Sequence, residues 1–136
     1  MNSHIYCVIM AGGAGTRFWP ISRSGRPKQF LDILGTGKTF IRSTFERFAE
    51  FVPAENFLVV TNSTYRDLVL EQLPEIAPQQ ILAEPLGRNT APCIAYAAFR
   101  LKATAPDSTM IVTPSDHLII NEPAFRNVVE EAVEFA

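Results

Sequence analysis

Val8-Ile9-Met10-Ala11-Gly12-Gly13-Ala14-Gly15-Thr16-Arg17-Phe18-Trp19-Pro20 decides how the rest of the chain is read. The apolar run that leads into it, Ile5 to Met10, has the length of a buried strand. It then breaks into three glycines within four residues and reaches an arginine. Glycine lacks a Cβ, so it tolerates positive φ and lets backbone N–H groups come close to a bound group. A strand that runs into such a loop can present those N–H groups to phosphate oxygens. Lys28 follows in Arg26-Pro27-Lys28-Gln29-Phe30. Arginine matches phosphate bidentately and lysine acts as a compact point charge, so two cations around a glycine turn point to a polyphosphate site.

Glycine also serves tight turns for steric reasons alone, so better-known phosphate motifs need testing. The dinucleotide fingerprint G-x-G-x-x-G, started at Gly13-Ala14-Gly15, meets Phe18 where its third glycine belongs. A P-loop ending at Gly37-Lys38-Thr39 meets Asp32 where its leading glycine belongs. Residues 35–39 therefore read as a turn followed by a helix cap.

Working outward, four β-rich runs stand out: Ile5–Met10, Phe57–Thr61, Gln80–Ala83 and Met110–Thr113. Helical periodicity fills the intervals. Phe40, Ile41, Phe45 and Phe48 share a face, as do Leu68, Val69, Gln72 and Leu73 after a Ser63 cap. Ile94, Ala95, Ala98 and Leu101 form a third stripe, and Phe125, Val128, Val129, Ala132 and Val133 a fourth. These phenylalanines read as core and not as a base-stacking surface. Strands alternating with helices predict a doubly wound α/β fold with a mostly parallel sheet. The stretch from Gly12 to Thr39 is long for a connection in a compact domain, which points to function.

In open α/β sheets, ligands bind beyond the carboxyl ends of the strands. Gly12 to Arg17, Glu84 to Thr90 and Ser115 to His117 all follow predicted strands. The second strand ends at Thr61-Asn62, where only a helix cap is visible.

Composition narrows the choice. The 136 residues suit about one domain, and 47% hydrophobic residues can fill a core. A formal charge of −2 provides no general basic surface for nucleic acid, so anion binding must come from local placement of Arg17 and Lys28. Cys7 and Cys93 each sit in an apolar segment and read as core residues, not as a disulfide or metal pair. The first apolar run is too short to span a membrane and lacks the basic flank of a secretion signal, which predicts a cytoplasmic protein. On the same ground the sequon Asn62-Ser63-Thr64 is not expected to carry a glycan.

The ordered pattern Gly12-Gly13-x-Gly15-Thr16-Arg17, Pro20 and Pro27-Lys28 resembles the signature of the sugar-nucleotide pyrophosphorylases. The narrower Arg17-Phe18-Trp19-Pro20-x-Ser22-Arg23-x-x-x-Pro27-Lys28-Gln29 is similar to the mannose-1-phosphate guanylyltransferase subgroup. So are Ala83-Glu84-Pro85-x-x-Arg88-Asn89-Thr90-Ala91-Pro92 and Pro114-Ser115-Asp116-His117. The resemblance implies a Rossmann-like fold of the nucleotide-diphospho-sugar transferase type. It also implies the reaction in which mannose 1-phosphate attacks the α-phosphorus of GTP to give GDP-mannose and pyrophosphate. Such transfers rest on positioning and charge neutralisation and need no covalent nucleophile.

Carried over residue by residue, Arg17 and Lys28 face the leaving pyrophosphate as the catalytic pair. Ala11, Gly12, Gly13, Gly15 and Thr16 wrap the nucleotide. Glu84, Pro85, Arg88, Asn89 and Thr90 form its base and sugar side, and Ser115 joins from the last loop. Asp116 is the expected ligand for Mg²⁺, which bridges phosphate oxygens.

Plainer readings stand beside these. Asp116 also suits a turn or helix cap, and His117 reads as a structural neighbour of it. Asn89 or Thr90 suits the N-cap of the following helix. Arg23 and Arg26 read equally as phosphate contacts or as solvated surface. The resemblance further implies that residues 1–136 are the amino-terminal part of a catalytic domain, with a second metal carboxylate beyond Ala136. From that follow weak GTP binding, no GDP-mannose formation by these residues alone, and self-association through an uncovered sheet edge. Two alternatives stay open. One is a nucleotidyltransferase for another base or hexose; the other is a nucleotide-binding module without catalysis.

Overall fold

A computed structural model describes residues 4–14, 18–87 and 89–136. Its four strands are β1 (Ile5–Met10), β2 (Phe57–Asn62), β3 (Ile81–Glu84) and β4 (Thr109–Pro114). Four α-helices accompany them: α1 (Phe40–Ala49), α2 (Arg66–Gln72), α3 (Thr90–Thr104) and α4 (Glu122–Glu134). All strand pairs are parallel, in the order β3-β2-β1-β4. The registers set Cys7 beside Phe57 and Ile111, and Val59 beside Ile81.

Side chains alternate across a strand, so each strand of a covered sheet supplies two cores. Ile5, Cys7, Ile9 and Ala11 point to one face with Phe57, Val59 and Ile81, where α1 and α2 cover them through Ile41, Phe45, Phe48, Val69 and Leu73. Phe125, Val129 and Val133 of α4 pack on that same core. Val8, Leu58, Val60 and Leu82 point the other way, under Cys93, Ala97 and Leu101 of α3. The doubly wound parallel sheet predicted from the alternation of elements is the fold observed. The chain steps outward from β1 to β3, then returns through α3 to place β4 on the free side of β1. The topological switch therefore lies between the carboxyl ends of β1 and β4, where such folds bind ligands.

Several local expectations change. The stripe predicted for α3 was Ile94, Ala95, Ala98 and Leu101; the buried line is Cys93, Ala97 and Leu101. The third strand starts one residue late, because Gln80 closes a 3₁₀ turn: its amide donates to the carbonyls of Ala54 and Phe57 at 2.7 and 2.8 Å. Ser63 does not cap α2. Asn62 does the capping one residue earlier, accepting from the Thr64 N–H at 2.9 Å at the head of a 3₁₀ turn. In α4, Val128 and Ala132 are exposed while Phe125, Val129 and Val133 make the contact.

The turn before α1 forms as read. Thr39 caps α1 by accepting from the Arg42 N–H, and Gly35 and Gly37 adopt φ of 67° and 82°, the left-handed region that glycine alone enters without strain. The Asp32 carboxylate accepts the N–H groups of Thr36 and Gly37 at 3.0 and 2.7 Å. The amides that a P-loop would offer to phosphate are here turned on the chain's own aspartate. Cys7 and Cys93 are free and lie in opposite cores.

Candidate nucleotide site

The carboxyl ends of β1 and β3 enclose a cavity of about 370 Å³. Met10, Gly12, Gly13, Glu84, Gly87, Asn89, Thr90 and Cys93 line it. Five of the predicted nucleotide residues thus meet: Gly12, Gly13, Glu84, Asn89 and Thr90. Positive φ is not what the glycines supply here, since among the described glycines only Gly35 and Gly37 have it. At Gly12 the ligand-free fold has room for a side chain, since the distances to its neighbours are ordinary van der Waals ones. A Cβ built on it would lie 3.5 Å from Glu84 Oε2 and 3.8 Å from the Thr61 Cα, in the space between the two loops.

Glu84 ends β3, so its position is set by the ladder to Asn62. Its carboxylate makes no hydrogen bond or ion pair among the described residues and faces a cavity. Cys93 forms the wall opposite. Burial, reinforced by the nearby Glu84 charge, pushes the Cys93 thiol up to about 11, so it stays neutral. Asn89 occupies the N-cap position of α3 with φ 68° and ψ −163°, a region that asparagine enters only under strain. Its side chain makes no capping bond. The plain reading of Asn89 as an ordinary cap therefore fails, and its amide is left for the cavity it lines.

Beside this cavity, at the switch point, Lys28 Nζ lies 2.5 Å from Asp116 Oδ2. Both side chains are about four-fifths covered. The Lys28 ammonium also sits 5.3 Å from the centre of the Phe18 ring. Pro27 and Gln29 on either side of Lys28 are buried, and Lys28 itself is half-buried. Ser115, which precedes Asp116, is buried and donates its N–H to the Met10 carbonyl at 3.2 Å.

Gln29 holds the glycine turn, a task that its sequence neighbourhood does not announce. It is buried, and its amide donates to the Ala11 carbonyl at 3.2 Å and to the Gly13 carbonyl at 2.8 Å. Thr61 Oγ1 donates to Ala11 as well, at 2.9 Å, and the Ala11 N–H reaches Val60 O at 2.8 Å. Ala11 is thus held from three sides and anchors the glycine turn; its polar groups are turned to the protein. One 3₁₀ turn, Lys28–Phe30, supplies both the cation that meets Asp116 and the clamp on the glycine turn.

The remaining expected residues divide clearly. Pro85 is exposed and outside the cavity lining. Arg23 and Arg26 are exposed, bridge to each other through their backbones and form no ion pair among the described residues. His117 lines a separate cavity of about 430 Å³ with Leu31, Phe40 and Arg47. Gly15, Thr16, Arg17 and Arg88 lie outside the described residues.

A parallel sheet with a cavity beyond its strand ends and a paired Lys–Asp at its switch point has the layout at which open α/β folds bind ligands. The Nucleotidyl transferase family profile matches residues 6–136, and the chain belongs to that family. The mannose-1-phosphate guanylyltransferase of Escherichia coli K12 is 43% identical over 139 residues, covering 99% of this chain and 29% of that protein. Among solved structures, the mannose-1-phosphate geranyltransferase of Thermus thermophilus superposes with a TM-score of 0.85 at 34% identity, over 98% of this chain and 38% of that one. The mannose-6-phosphate isomerase of Helicobacter pylori gives a TM-score of 0.72 at 33% identity, over 98% of this chain and 47% of that one. The chain therefore spans less than a third of the length of its E. coli relative. Among the described residues no helix is long and apolar enough to cross a membrane.

Proposed function

We propose that these residues form the nucleotide half of a mannose-1-phosphate guanylyltransferase site, within the amino-terminal part of its catalytic domain. The observation that carries this reading is the cavity between the glycine turn and the β3 loop, at the same carboxyl edge of the sheet as the Lys28–Asp116 pair that follows β4. Guanine is the base that suits it. A carboxylate only accepts hydrogen bonds, and guanine alone among the four bases presents two adjacent donors, N1–H and the N2 amino group. Glu84 can accept both, and adenine would set its N1 lone pair against the same carboxylate. Sites built on such polar matches reject the wrong ligand strongly, because their own groups would be left unpaired.

In the reaction the mannose 1-phosphate oxygen forms a bond to the α-phosphorus of GTP, and the bond from that phosphorus to the bridging oxygen of pyrophosphate breaks. Lys28 and Arg17 take up the charge that gathers on the leaving group. Gly12 and Gly13 let the backbone follow the nucleotide closely.

Magnesium is tested by the donor set. No cluster of three or more His, Cys, Asp or Glu able to hold a metal occurs among the described residues. Asp116 alone cannot cage an ion, yet Mg²⁺ is commonly held by one or two carboxylates with the rest of its shell from phosphate and water. The oxygen of Asp116 already has a cation, the Lys28 ammonium, at contact distance. We propose Asp116 as the one protein ligand of a Mg²⁺ ion whose other ligands would be phosphate and water oxygens. When bound, the ion would neutralise phosphate charge. We further propose a cytoplasmic location and self-association through an uncovered sheet edge.

The test is thermal unfolding with GTP, ATP, UTP or dTTP, each with Mg²⁺. GTP is expected to raise Tm most, by the equivalent of about 2.7 kcal/mol at one hundred times its Kd. Glu84→Gln should erase the preference for GTP. Equal shifts from all four nucleotides would overturn the guanine reading, and no shift from any would overturn the nucleotide site.

A further inference from the structure

We propose that helix α2 is the brace that sets the position of Lys28, and that Tyr65 and Gln72, at its two ends, are positioning residues for that ammonium. The consequence for phosphate binding rests on the nucleotide reading above; the hold on Lys28 does not.

No expected site residue follows β2. Asn62 caps a 3₁₀ turn there, and the chain enters α2. That helix nevertheless reaches the long functional loop from both ends. Tyr65, just before it, is buried, and its hydroxyl donates to the Ser24 carbonyl at 2.7 Å. The Tyr65 ring lies 5.7 Å, centre to centre, from that of the fully buried Phe30. Gln72, the last residue of α2, donates from Nε2 to the Phe30 carbonyl at 3.1 Å. A carbonyl only accepts, so the Gln72 nitrogen must face Phe30. The Gln72 oxygen is left to accept from the Thr39 hydroxyl, at 2.7 Å. Ser24 precedes Lys28 and Phe30 follows it, so the chain is held on both sides of the lysine.

What is held is the point from which the ammonium reaches. A lysine stem is flexible along its four carbons, so its reach is defined only where its backbone is. Lys28 opens the 3₁₀ turn that ends at Phe30, and Gln29 within that turn grips the glycine turn. A shift of this turn would move the ammonium off Asp116, 2.5 Å away, and off the proposed phosphate position at once. A misplacement of about 1 Å by a remote change can cost a site about a hundredfold. Neither Tyr65 nor Gln72 lines the cavity between the glycine turn and the β3 loop. Both therefore act through Lys28 and not on a ligand.

The test labels Lys28, Lys38 and Lys102 with ¹⁵N and follows their ammonium signals by nuclear magnetic resonance in the ligand-free chain. The Lys28 signal is the one that Lys28→Met removes, and the exposed Lys102 is the reference. Gln72→Leu and Tyr65→Phe are each expected to shift the Lys28 signal toward that of Lys102, which itself stays in place. Val69→Ala is the control. It lies on the same helix, is fully buried, and lowers stability without removing either bond. It should leave the Lys28 signal unchanged. Calorimetric titration with GTP reads the consequence. Gln72→Leu should weaken GTP binding about fivefold, within the range for residues that act through others, and Val69→Ala should not. Added to Lys28→Met, the same Gln72→Leu change should weaken GTP by less than about twofold, because its target is gone. An unchanged Lys28 signal in a folded Gln72→Leu or Tyr65→Phe chain would overturn the proposal, and either variant suffices if the other does not fold. An equal shift in Val69→Ala would overturn it too, as would the full fivefold loss in the Lys28→Met background. If GTP does not bind the natural chain, the nucleotide reading fails, and the ammonium signals still decide whether α2 holds Lys28.

Discussion

Gln29 directs both hydrogens of its amide at the glycine turn, one to Ala11 O and one to Gly13 O. The two acceptors are not equivalent. Ala11 O keeps the Thr61 hydroxyl if Gln29 is lost, whereas Gly13 O relies on Gln29. Gln29→Leu preserves bulk and removes both donors. It should cost about 0.5–1.5 kcal/mol, the range for losing a hydrogen bond whose acceptor stays satisfied or reaches water. It should also weaken GTP binding about tenfold by loosening the turn against the cavity. Urea denaturation and a GTP titration measure the two effects, and a stability loss with unchanged affinity would make Gln29 structural only. This role is hard to read in advance. Sequence shows a glutamine between Lys28 and Phe30, and nothing local says that it faces inward. Lys28 is legible as a cation and Asp116 as a carboxylate, but their contact spans 88 positions and depends on the β1–β4 pairing. Glu84 and the glycines are legible because strand ends in a parallel sheet must share an edge. Asn89 reads as an ordinary cap because residue type favours caps, while its backbone geometry, here φ 68°, is set by the turn.

Elements follow their periodicity where both sides of the pattern are distinct. In helix α1, Ile41, Phe45 and Phe48 are buried as read, whereas Phe40, read on the same face, is half-buried at the helix start and lines the cavity with His117. Helix α3 is apolar around most of its circumference, so its alanines offer several equivalent stripes, and the sheet selects the one with Cys93, Ala97 and Leu101. The polar side of α1 joins a charge network. Glu46 accepts from Lys38 at 2.5 Å and from Arg42 at 2.8 Å, and Arg42 reaches Glu75 at 2.7 Å. Burial raises the Glu46 pKa, but the hydrogen bonds and charges of Lys38 and Arg42 outweigh it and hold the carboxyl below its ordinary 4.5. A carboxyl lowered in the folded state contributes stability above its unfolded pKa and loses it as pH falls through the folded one. The window therefore lies below pH 4.5. Glu46→Gln should cost about 0.2–1 kcal/mol at pH 7, the range for largely solvated pairs. Its urea midpoint should then fall less steeply than that of the natural chain below that pH. Parallel acid profiles would remove Glu46 from the acid response.

Across the whole molecule, burial is uneven, and the unevenness predicts where it opens first. Strands β1 and β2 are central: Cys7, Val8, Ile9, Phe57, Val59 and Val60 are fully covered, from both faces. Among the described residues, strand β4 pairs with β1 alone and buries only Thr113, and α4 contains no fully buried residue. What holds α4 is a half-buried apolar line and two ion pairs to α1 and the segment after it, Arg47–Glu122 and Arg126–Glu50. Regions with little buried apolar surface open at lower free energy than the core. Native-state hydrogen exchange should therefore show β4 and α4 opening together, below the free energy of the β1–β2 pair. The proposed ligand makes a second, sharper demand. Asp116 follows β4, while Gly12 and Gly13 follow β1, so a nucleotide with Mg²⁺ would tie the two strands together across their carboxyl ends. GTP with Mg²⁺ should then slow exchange in β4 more than in β2, although β2 flanks the cavity and β4 is the weaker strand. Protection rising only around β3 and the start of α3 would mean that the base is held without its phosphates reaching Asp116. In that outcome the cavity would remain a nucleoside pocket, and the switch point between β1 and β4 would need another ligand.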